Sequence, residues 1–309
     1  MKSDDFDELT EELRDWDLDL TLLEPGKFYG SVLHCGVNGM IFGESRFNKA
    51  TLKNGGSPPG MRSFVFPEKR QDKFHWRSHH LTGEHVVTMP GGTDFQGTAP
   101  KGMRNFNVAF PEEHLARLAS EIGVPAPDDL LQEHDAFHCE PRLLSTITSD
   151  LKRLNASLKN NPEKIHDKSV QQFISRELPI RFLKLLSRNR TIRVTVNGRK
   201  RVRTLGLVKS LLEVAAPDEM TVQALMEATD VSERTLQYVF RDALGVTPHA
   251  YLKSLRLHGA YRDLKSASPL EVKIVDVANY WEFWHMGQFA ADYRNLFSEL
   301  PSQTLAKKK

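Results

Sequence analysis

The chain has 309 residues, with 42 basic and 40 acidic side chains and a formal net charge of +2 at pH 7. This length corresponds to about two domains of roughly 150 residues each. The two cysteines, Cys35 and Cys139, lie far apart and fit neither a metal-ligand spacing nor a disulfide framework. No apolar run approaches the roughly 18 residues of a membrane span, and the acidic N-terminal residues do not resemble a signal peptide. These features exclude a disulfide-stapled scaffold and predict a cytoplasmic protein without a membrane partner.

Charge is distributed unevenly along the chain. Residues 1–24 contain ten acidic and two basic side chains. Between Glu177 and Glu213 there is no acid, whereas ten residues are basic. Because these positive groups repel one another unless an anion is nearby, the segment is either a solvated linker or an anion-binding hinge.

The periodicity of apolar residues changes near Pro111. From Gly26 to Phe110, short apolar or alternating runs are separated by turn signals such as Asn38-Gly39 and Pro90-Gly91-Gly92, which is typical of a small β-barrel or sandwich. After Pro111 the apolar residues recur at helical spacing. The sequence therefore predicts an α+β fold: a small N-terminal β-barrel with flanking helices, followed by an all-α C-terminal domain.

The C-terminal hundred residues contain clear helix boundaries. Thr221 is expected to cap one helix and Ser232 the next, which stops at Gly245. Thr247 and Pro248 then begin a longer helix that ends near Lys265. This pattern predicts a helix-turn-helix followed by a connecting helix.

A second helix pair follows the connecting helix. Ser268 to Glu271 has the pattern of a capping box, and Trp284–Phe297 is expected to be the last long helix. Two such pairs could place two recognition helices in successive major grooves, about 34 Å apart. A plain helical bundle is the alternative. The side chains expected to contact bases are Ser232, Glu233, Arg234 and Gln237 in the first pair and His285, Met286, Gln288 and Arg294 in the second.

Several C-terminal segments resemble the AraC/XylS family of bacterial transcription regulators. They are TVQAL at 221–225, VSERTLQYVF at 231–240, LGVTP at 244–248 and FWHMGQF at 283–289. The resemblance implies a regulator, most often an activator, that binds double-stranded promoter DNA, works with RNA polymerase and forms a homodimer. In both turns, where the family often has Gly, this chain has an acid, Asp230 or Glu282. Glu adopts a left-handed backbone poorly, which puts the second turn in doubt.

Two N-terminal segments resemble the sensor domain of the ethanolamine-operon-regulator branch of that family. They are PGKFYG at 25–30 and MPGGTDF at 89–95. The resemblance implies a cupin-like barrel that binds an effector, without naming one. The predicted divisions are an acidic segment (1–24), a β-barrel sensing domain (25–110), a helical dimerisation or packing region (111–187), a basic hinge (188–203) and a double helix-turn-helix DNA-binding domain (204–303).

The basic hinge suggests a small anionic effector. Arg199 and Arg203 lie four residues apart, so in a helix they share one face, where their planar guanidinium groups can grip phosphates. This Arg-x-x-x-Arg pattern beside a barrel resembles PilZ domains, which bind cyclic di-GMP. Arg201 and Arg193 are further candidate ligands. The alternatives are another small metabolite inside the barrel, direct contact with DNA phosphates, and a plain linker.

Other patterns carry little functional signal. His75, His79, His80 and His85 lack a His-x-His pair, and the catalytic and nucleotide-binding motifs based on glycine are absent, so no metal, no cofactor and no enzyme activity is predicted. The aromatic residues 281, 283 and 284 are expected in the core of the second helix pair. A metal-dependent cupin enzyme fused to a DNA-binding domain and an unliganded architectural DNA binder are the rival hypotheses.

Overall fold

The computed structural model describes residues 1–69, 73–76, 79–131, 136–188, 190–191, 196–269 and 272–306, without the side chains of 190–191, 196–199 and 202. The chain divides into two compact units. The first consists of Met1–Leu20, Tyr29–Asn48 and Lys53–Val194, and the second of Thr21–Phe28, Lys49–Leu52 and Thr195–Lys309. Two short pieces from the N-terminal part of the sequence thus belong to the C-terminal unit.

The strands form two sheets. They are β1 (Lys2–Ser3), β2 (Asp19–Leu22), β3 (Gly30–Val37), β4 (Met40–Phe47), β5 (Thr51–Gly56), β6 (Met61–Pro67), β7 (Lys73–Trp76), β8 (His79–Thr82), β9 (His85–Met89), β10 (Asp94–Ala99), β11 (Arg104–Pro111), β12 (Ala136–His138) and β13 (Arg190–Thr191). The eight-stranded sheet has the order β1-β3-β4-β11-β6-β9-β12-β13, and the five-stranded sheet has the order β2-β5-β10-β7-β8.

The mixed α and β architecture, with sheets N-terminal to a helical domain, confirms the coarse fold prediction. In the part of the chain that the structure describes, both sheet orders have two open ends, so neither sheet closes on itself. A barrel therefore stays a prediction. The central strand β11 pairs antiparallel with β4 and β6, with Val108 opposite Phe42 and Phe64.

The helices are α1 (Phe6–Glu11), α2 (Glu112–Glu121), α3 (Pro127–Leu131), α4 (Pro141–Asn160), α5 (Lys168–Gln172), α6 (Leu178–Ser187), α7 (Val196–Val214), α8 (Val222–Thr229), α9 (Glu233–Leu244), α10 (Pro248–Ser266), α11 (Ile274–Tyr280), α12 (Met286–Phe297) and α13 (Pro301–Ala306). Short 3-10 turns occur at Arg14–Trp16, Pro162–His166 and Pro217–Glu219, and a π-helical turn at Phe173–Glu177 precedes α6. Within the described residues, no helix is long and apolar enough to cross a membrane.

The core of the first unit lies between the larger sheet and helices α2, α4 and α6. Phe182 of α6 is fully buried, and its ring centroid lies 4.7 Å from that of Phe64, 5.9 Å from Phe66 and 5.7 Å from Phe110. Tilted aromatic pairs at these distances are favourable beyond the area that they bury. This cluster fixes α6 against the sheet.

Helices α8, α9 and α10 of the second unit begin where the sequence predicts. Thr221 Oγ1 accepts a hydrogen bond from Ala224 N at 3.0 Å, and Thr247 Oγ1 accepts one from Ala250 N at 3.2 Å. Gly245, with φ +74°, ends α9 in the left-handed conformation expected of a C-terminal glycine. The capping-box prediction was wrong, because α11 begins at Ile274 with Lys273 as its N-cap; Glu271 lies outside the described residues.

Candidate nucleic-acid interface and effector sites

The first candidate recognition helix is α9. Ser232 caps it, with its Oγ accepting from Thr235 N at 3.3 Å. Glu233 Oε1 accepts a hydrogen bond from Gln237 Nε2 at 3.0 Å, so these two polar groups pair along the helix. Arg234 is exposed in the first turn. The structure thus brings the four predicted residues together at the N-terminal end of α9, where a recognition helix contacts base edges.

The candidates of the second helix pair are less tightly grouped. His285 is the N-cap of α12, and Met286 and Gln288 lie in its first turn. His285 and Gln288 are exposed, and Met286 is partly buried. Arg294 is also exposed, but at about 1.5 Å per residue it lies about 12 Å further along the axis than Met286. Three of these residues cluster at the helix N-terminus, and Arg294 lies in the last turn.

The turns of both helix pairs have the left-handed backbone conformation that glycine adopts easily. Asp230 has φ +51° and Glu282 has φ +65°, both in the left-handed region. The acid at position 282 therefore leaves the turn geometry intact. For a glutamate this conformation costs about 1 kcal/mol or more.

The aromatic residues beside the second turn are not all core residues. Trp281 and Phe283 are partly buried, and Trp281 Nε1 donates to Asp263 Oδ2 at 2.6 Å. Trp284, one residue before the N-cap of α12, is 63% exposed, which corrects the prediction that it packs in the core. Tyr238 on α9 is equally exposed. No pattern in the sequence separates position 284 from its partly buried neighbours.

The predicted hinge arginines fall mainly on helix α7. Arg199, Arg201 and Arg203 lie within its bounds, and Arg203 is exposed. Arg201 Nη1 lies 2.5 Å from Asp242 Oδ2, and both side chains are mostly buried. The basic segment between Glu177 and Glu213, which contains no acid of its own, thus forms an ion pair with an acid on α9. Arg193 lies outside the described residues, as does the side chain of Arg199.

The first unit contains a cavity lined by residues of both sheets and of the segment before β2. The volume open to the centre of a water molecule is about 60 Å³, several times the roughly 10–15 Å³ that one water needs. Its lining is mainly apolar and aromatic, with one ammonium group. The aromatic residues and the lysine are Trp16, Lys53, Phe66, Phe74, Trp76 and Phe95.

The histidines of the first unit are engaged with polar partners. His75 Nδ1 lies 3.1 Å from Thr98 Oγ1, and its Nε2 lies 2.8 Å from His80 Nδ1. Burial lowers the pKa of His85, which favours the neutral form of this ring. Across the described residues, no group of three or more His, Cys, Asp or Glu side chains is arranged to hold a metal ion.

Residues 225–307 match the model of a family described as a helix-turn-helix domain. The chain is 36% identical over 99 residues to a probable thc operon regulatory protein of Rhodococcus erythropolis, which covers 32% of this chain and 30% of that protein. It is also 25% identical over 260 residues to the transcriptional activator RhaS of Escherichia coli O139:H28, covering 79% of this chain and 92% of the activator.

Among solved structures, the AraC-like transcriptional activator CuxR matches with a TM-score of 0.45 and 12% identity, covering 84% of this chain and 94% of CuxR. The chain covers less than half of the length of several relatives. It covers 30% of the thc operon regulatory protein, 20% of the regulatory protein HrpB and 41% of the XylDLEGF operon transcriptional activator 3. The thc, HrpB, XylDLEGF and RhaS proteins are named as regulators or activators. Through its helix-turn-helix domain, the chain is similar to transcription regulators of the AraC/XylS family.

Proposed function

We propose that the chain is a sequence-specific DNA-binding transcription regulator that activates its targets in response to a small molecule. The observation that carries the proposal is the N-terminal end of α9, where a capped helix presents the exposed Arg234 beside the Glu233–Gln237 pair. An arginine at this place can donate two hydrogen bonds to guanine, a contact worth about 1–3 kcal/mol of discrimination. Promoter DNA and RNA polymerase are its expected partners, and the active form is expected to be a homodimer.

Binding of the full chain to duplexes of its own promoter region tests this proposal. Fluorescence anisotropy would compare a promoter duplex with a scrambled duplex of the same composition across a salt series. Arg234→Ala is expected to reduce the discrimination between the two duplexes. Arg241→Ala, in the last turn of the same helix, is the matched control and is expected to keep the discrimination. Equal affinity of the unaltered chain for both duplexes would overturn the proposal.

The first candidate effector is cyclic di-GMP, bound by Arg199, Arg203, Arg201 and Arg193 beside the cupin-like barrel that the sequence predicts. The helical backbone at Arg199 and Arg203 supports a shared face for this pair. The Arg201–Asp242 ion pair weighs against a part for Arg201. Calorimetric titration of cyclic di-GMP into the full chain, beside the Arg199→Ala/Arg203→Ala variant, is the test. Binding that the double substitution abolishes supports the site, and no heat with the unaltered chain removes it.

The second candidate is a small metabolite inside the first unit. The cavity between the two sheets favours it, because a concave, mainly apolar space with few polar groups is the usual form of a small-molecule site.

A further inference from the structure

Polar and charged side chains form a row across four neighbouring strands of the larger sheet. Lys2 of β1 lies opposite Ser31 of β3, Ser31 lies opposite Arg46 of β4, and Arg46 lies opposite Arg104 of β11. Residues directly opposite each other in antiparallel strands point to the same face of the sheet. Because neighbouring strands are about 4.8 Å apart, the row places three cationic side chains on one face within about 14 Å.

The Arg46–Arg104 pair is unfavourable in the free protein, because like charges directly opposite each other destabilise a sheet. Glu68 Oε1 lies 3.4 Å from Arg104 Nη1 but also 2.8 Å from Lys152 Nζ, so two cations share its charge. Arg46 is exposed and has no ion-pair partner among the described residues. The repulsion within the row is relieved when an anion lies on it.

The row lines a groove of the first unit. The volume open to the centre of a water molecule is about 920 Å³, which is large enough for a small organic ligand. Lys159, in the last turn of α4, and Lys101, between β10 and β11, line the groove as well. Among the described residues that line it, five side chains are basic and one, Glu44, is acidic.

The acid of the groove already has cationic and polar partners. Glu44 is buried, and its two oxygens accept hydrogen bonds from Lys159 Nζ and from Asn155 Nδ2, the latter at 3.2 Å. Glu44 therefore balances the charge of Lys159. The other four cationic side chains have no further acid among the described lining residues, so the groove carries an excess of positive charge.

The donors and the shape of the row select among anions. A guanidinium group can donate two parallel hydrogen bonds to phosphate oxygens, and Arg46 and Arg104 provide two such groups side by side. An extended row of cations matches several phosphoryl groups in line better than it matches one compact anion. Tyr29, which is 48% exposed, also lines the groove and offers a ring on which a base can stack.

We propose that this groove binds an oligophosphate, a chain of two or more linked phosphoryl groups that is either free or part of a nucleotide. Lys2, Arg46 and Arg104 hold the phosphoryl groups. The inference goes beyond the proposed function and does not depend on DNA binding. It also concerns a different site from the hinge arginines, which lie on α7.

Calorimetry on the full chain, without DNA and without divalent cations, tests the proposal. The probes are tripolyphosphate, inorganic phosphate and citrate. Because each further hydrogen bond between charged groups adds affinity, tripolyphosphate is expected to bind about tenfold or more tighter than either compact anion. Its affinity should fall as salt is added. Inorganic phosphate or citrate that binds as tightly as tripolyphosphate would overturn the proposal.

Adenosine triphosphate distinguishes the two sources of an oligophosphate. Tighter binding than that of tripolyphosphate, with the gain lost in Tyr29→Ala, assigns the groove to a nucleotide whose base stacks on Tyr29. Binding no tighter than that of tripolyphosphate assigns it to the free oligophosphate. Both results support the site, whereas a failure of both ligands to bind at millimolar concentration would remove it.

Substitutions locate the site. Arg46→Gln is expected to weaken tripolyphosphate binding about tenfold or more, and to melt no lower than the unaltered chain because it removes one of two opposed charges. Arg142→Gln, at an exposed arginine in the first turn of α4, about 25 Å from Lys159 along the helix, is the matched control and should bind like the unaltered chain.

The hinge variant Arg199→Ala/Arg203→Ala separates the groove from the hinge. It should keep the affinity for tripolyphosphate that Arg46→Gln loses. Unchanged affinity in Arg46→Gln, or a loss in the hinge variant alone, would contradict the assignment. Calorimetry without DNA reports on the groove, whereas the promoter-binding assay reports on the regulator, so failure of one is distinguishable from failure of the other.

Discussion

Gly259 in the middle of α10 lies directly against the indole ring of Trp281. A Cβ added at Gly259 would be 2.1 Å from Cη2 and Cζ2 of that ring, far inside contact distance. The ring cannot swing away freely, because its Nε1 donates to Asp263 Oδ2 at 2.6 Å. This close approach fixes the second helix pair against the connecting helix.

Gly259→Ala is therefore expected to destabilise the second unit, although alanine is the better helix former. Overpacking of this kind costs about 1–3 kcal/mol. Urea denaturation followed by far-ultraviolet circular dichroism measures it. Gly206→Ala is the matched control, because Gly206 also lies within a helix, α7, and an added Cβ meets nothing within 4 Å. There the substitution should stabilise by about 0.5–1 kcal/mol. A stabilising Gly259→Ala would disprove the contact.

Glu282→Gly is expected to stabilise the second turn. Position 282 has φ +65°, which glycine adopts without strain, and the gain is up to about 1 kcal/mol. Glu227→Gly, at an exposed glutamate inside α8, should instead lose about 1 kcal/mol. Thermal melting of the two variants side by side gives the sign of each change. A loss of stability in Glu282→Gly would show that its carboxylate contributes more than the backbone strain costs.

His258 is expected to hold the segment around Leu22 in the second unit. His258 Nε2 accepts a hydrogen bond from Leu22 N at 3.0 Å, and Ser254 Oγ donates to Leu22 O at 2.7 Å. Because all three groups are buried, His258→Ala leaves the Leu22 amide without an acceptor, at a cost of about 1–3 kcal/mol.

Amide hydrogen exchange at Leu22 is the direct readout of this contact. His258→Ala should accelerate it, whereas Ser266→Ala, an exposed serine at the end of the same helix, should leave it unchanged. If the Leu22 amide exchanged as fast in the unaltered chain as in His258→Ala, His258 would not hold this segment.

The pKa of Lys53, which desolvation lowers to about 8, predicts a change in stability with pH. Because the unfolded chain holds the Lys53 proton up to a higher pH than the folded chain does, the stability of the first unit should rise between about pH 8 and 10.5. Lys53→Met should lack this rise, and Lys168→Met, at an exposed lysine of α5, is the matched control. Thermal melting across this range checks the prediction; a pH profile shared by Lys53→Met would assign the effect to another group.

Local chemistry made most of the second unit predictable. Thr221, Ser232 and Thr247 cap helices because their side-chain oxygens reach backbone amides three residues away, and Gly245 ends α9 for an equally local reason. These signals depend on neighbouring residues alone, so one sequence suffices to find them.

Contacts between residues far apart in the sequence could not be predicted from such local signals. Arg201 of α7 forms an ion pair with Asp242 of α9. Residues Thr21–Phe28 belong to the second unit, although most of that unit is formed by Thr195–Lys309. Lys53 belongs to no motif, and only the fold surrounds it with aromatic rings. Trp281 and Trp284 have similar sequence surroundings, yet Trp281 packs on Gly259 whereas Trp284 is exposed.

Selection of binding sites from a random duplex library by the full chain tests the central claim most directly. The account predicts enrichment of a site with two half-motifs about one helical turn apart, roughly 10–10.5 base pairs, read by α9 and α12. Arg234→Ala should lose sequence preference in one half-motif only. Retention of DNA without enrichment of any sequence, falling steeply with salt, would contradict a sequence-specific regulator and favour a non-specific DNA binder.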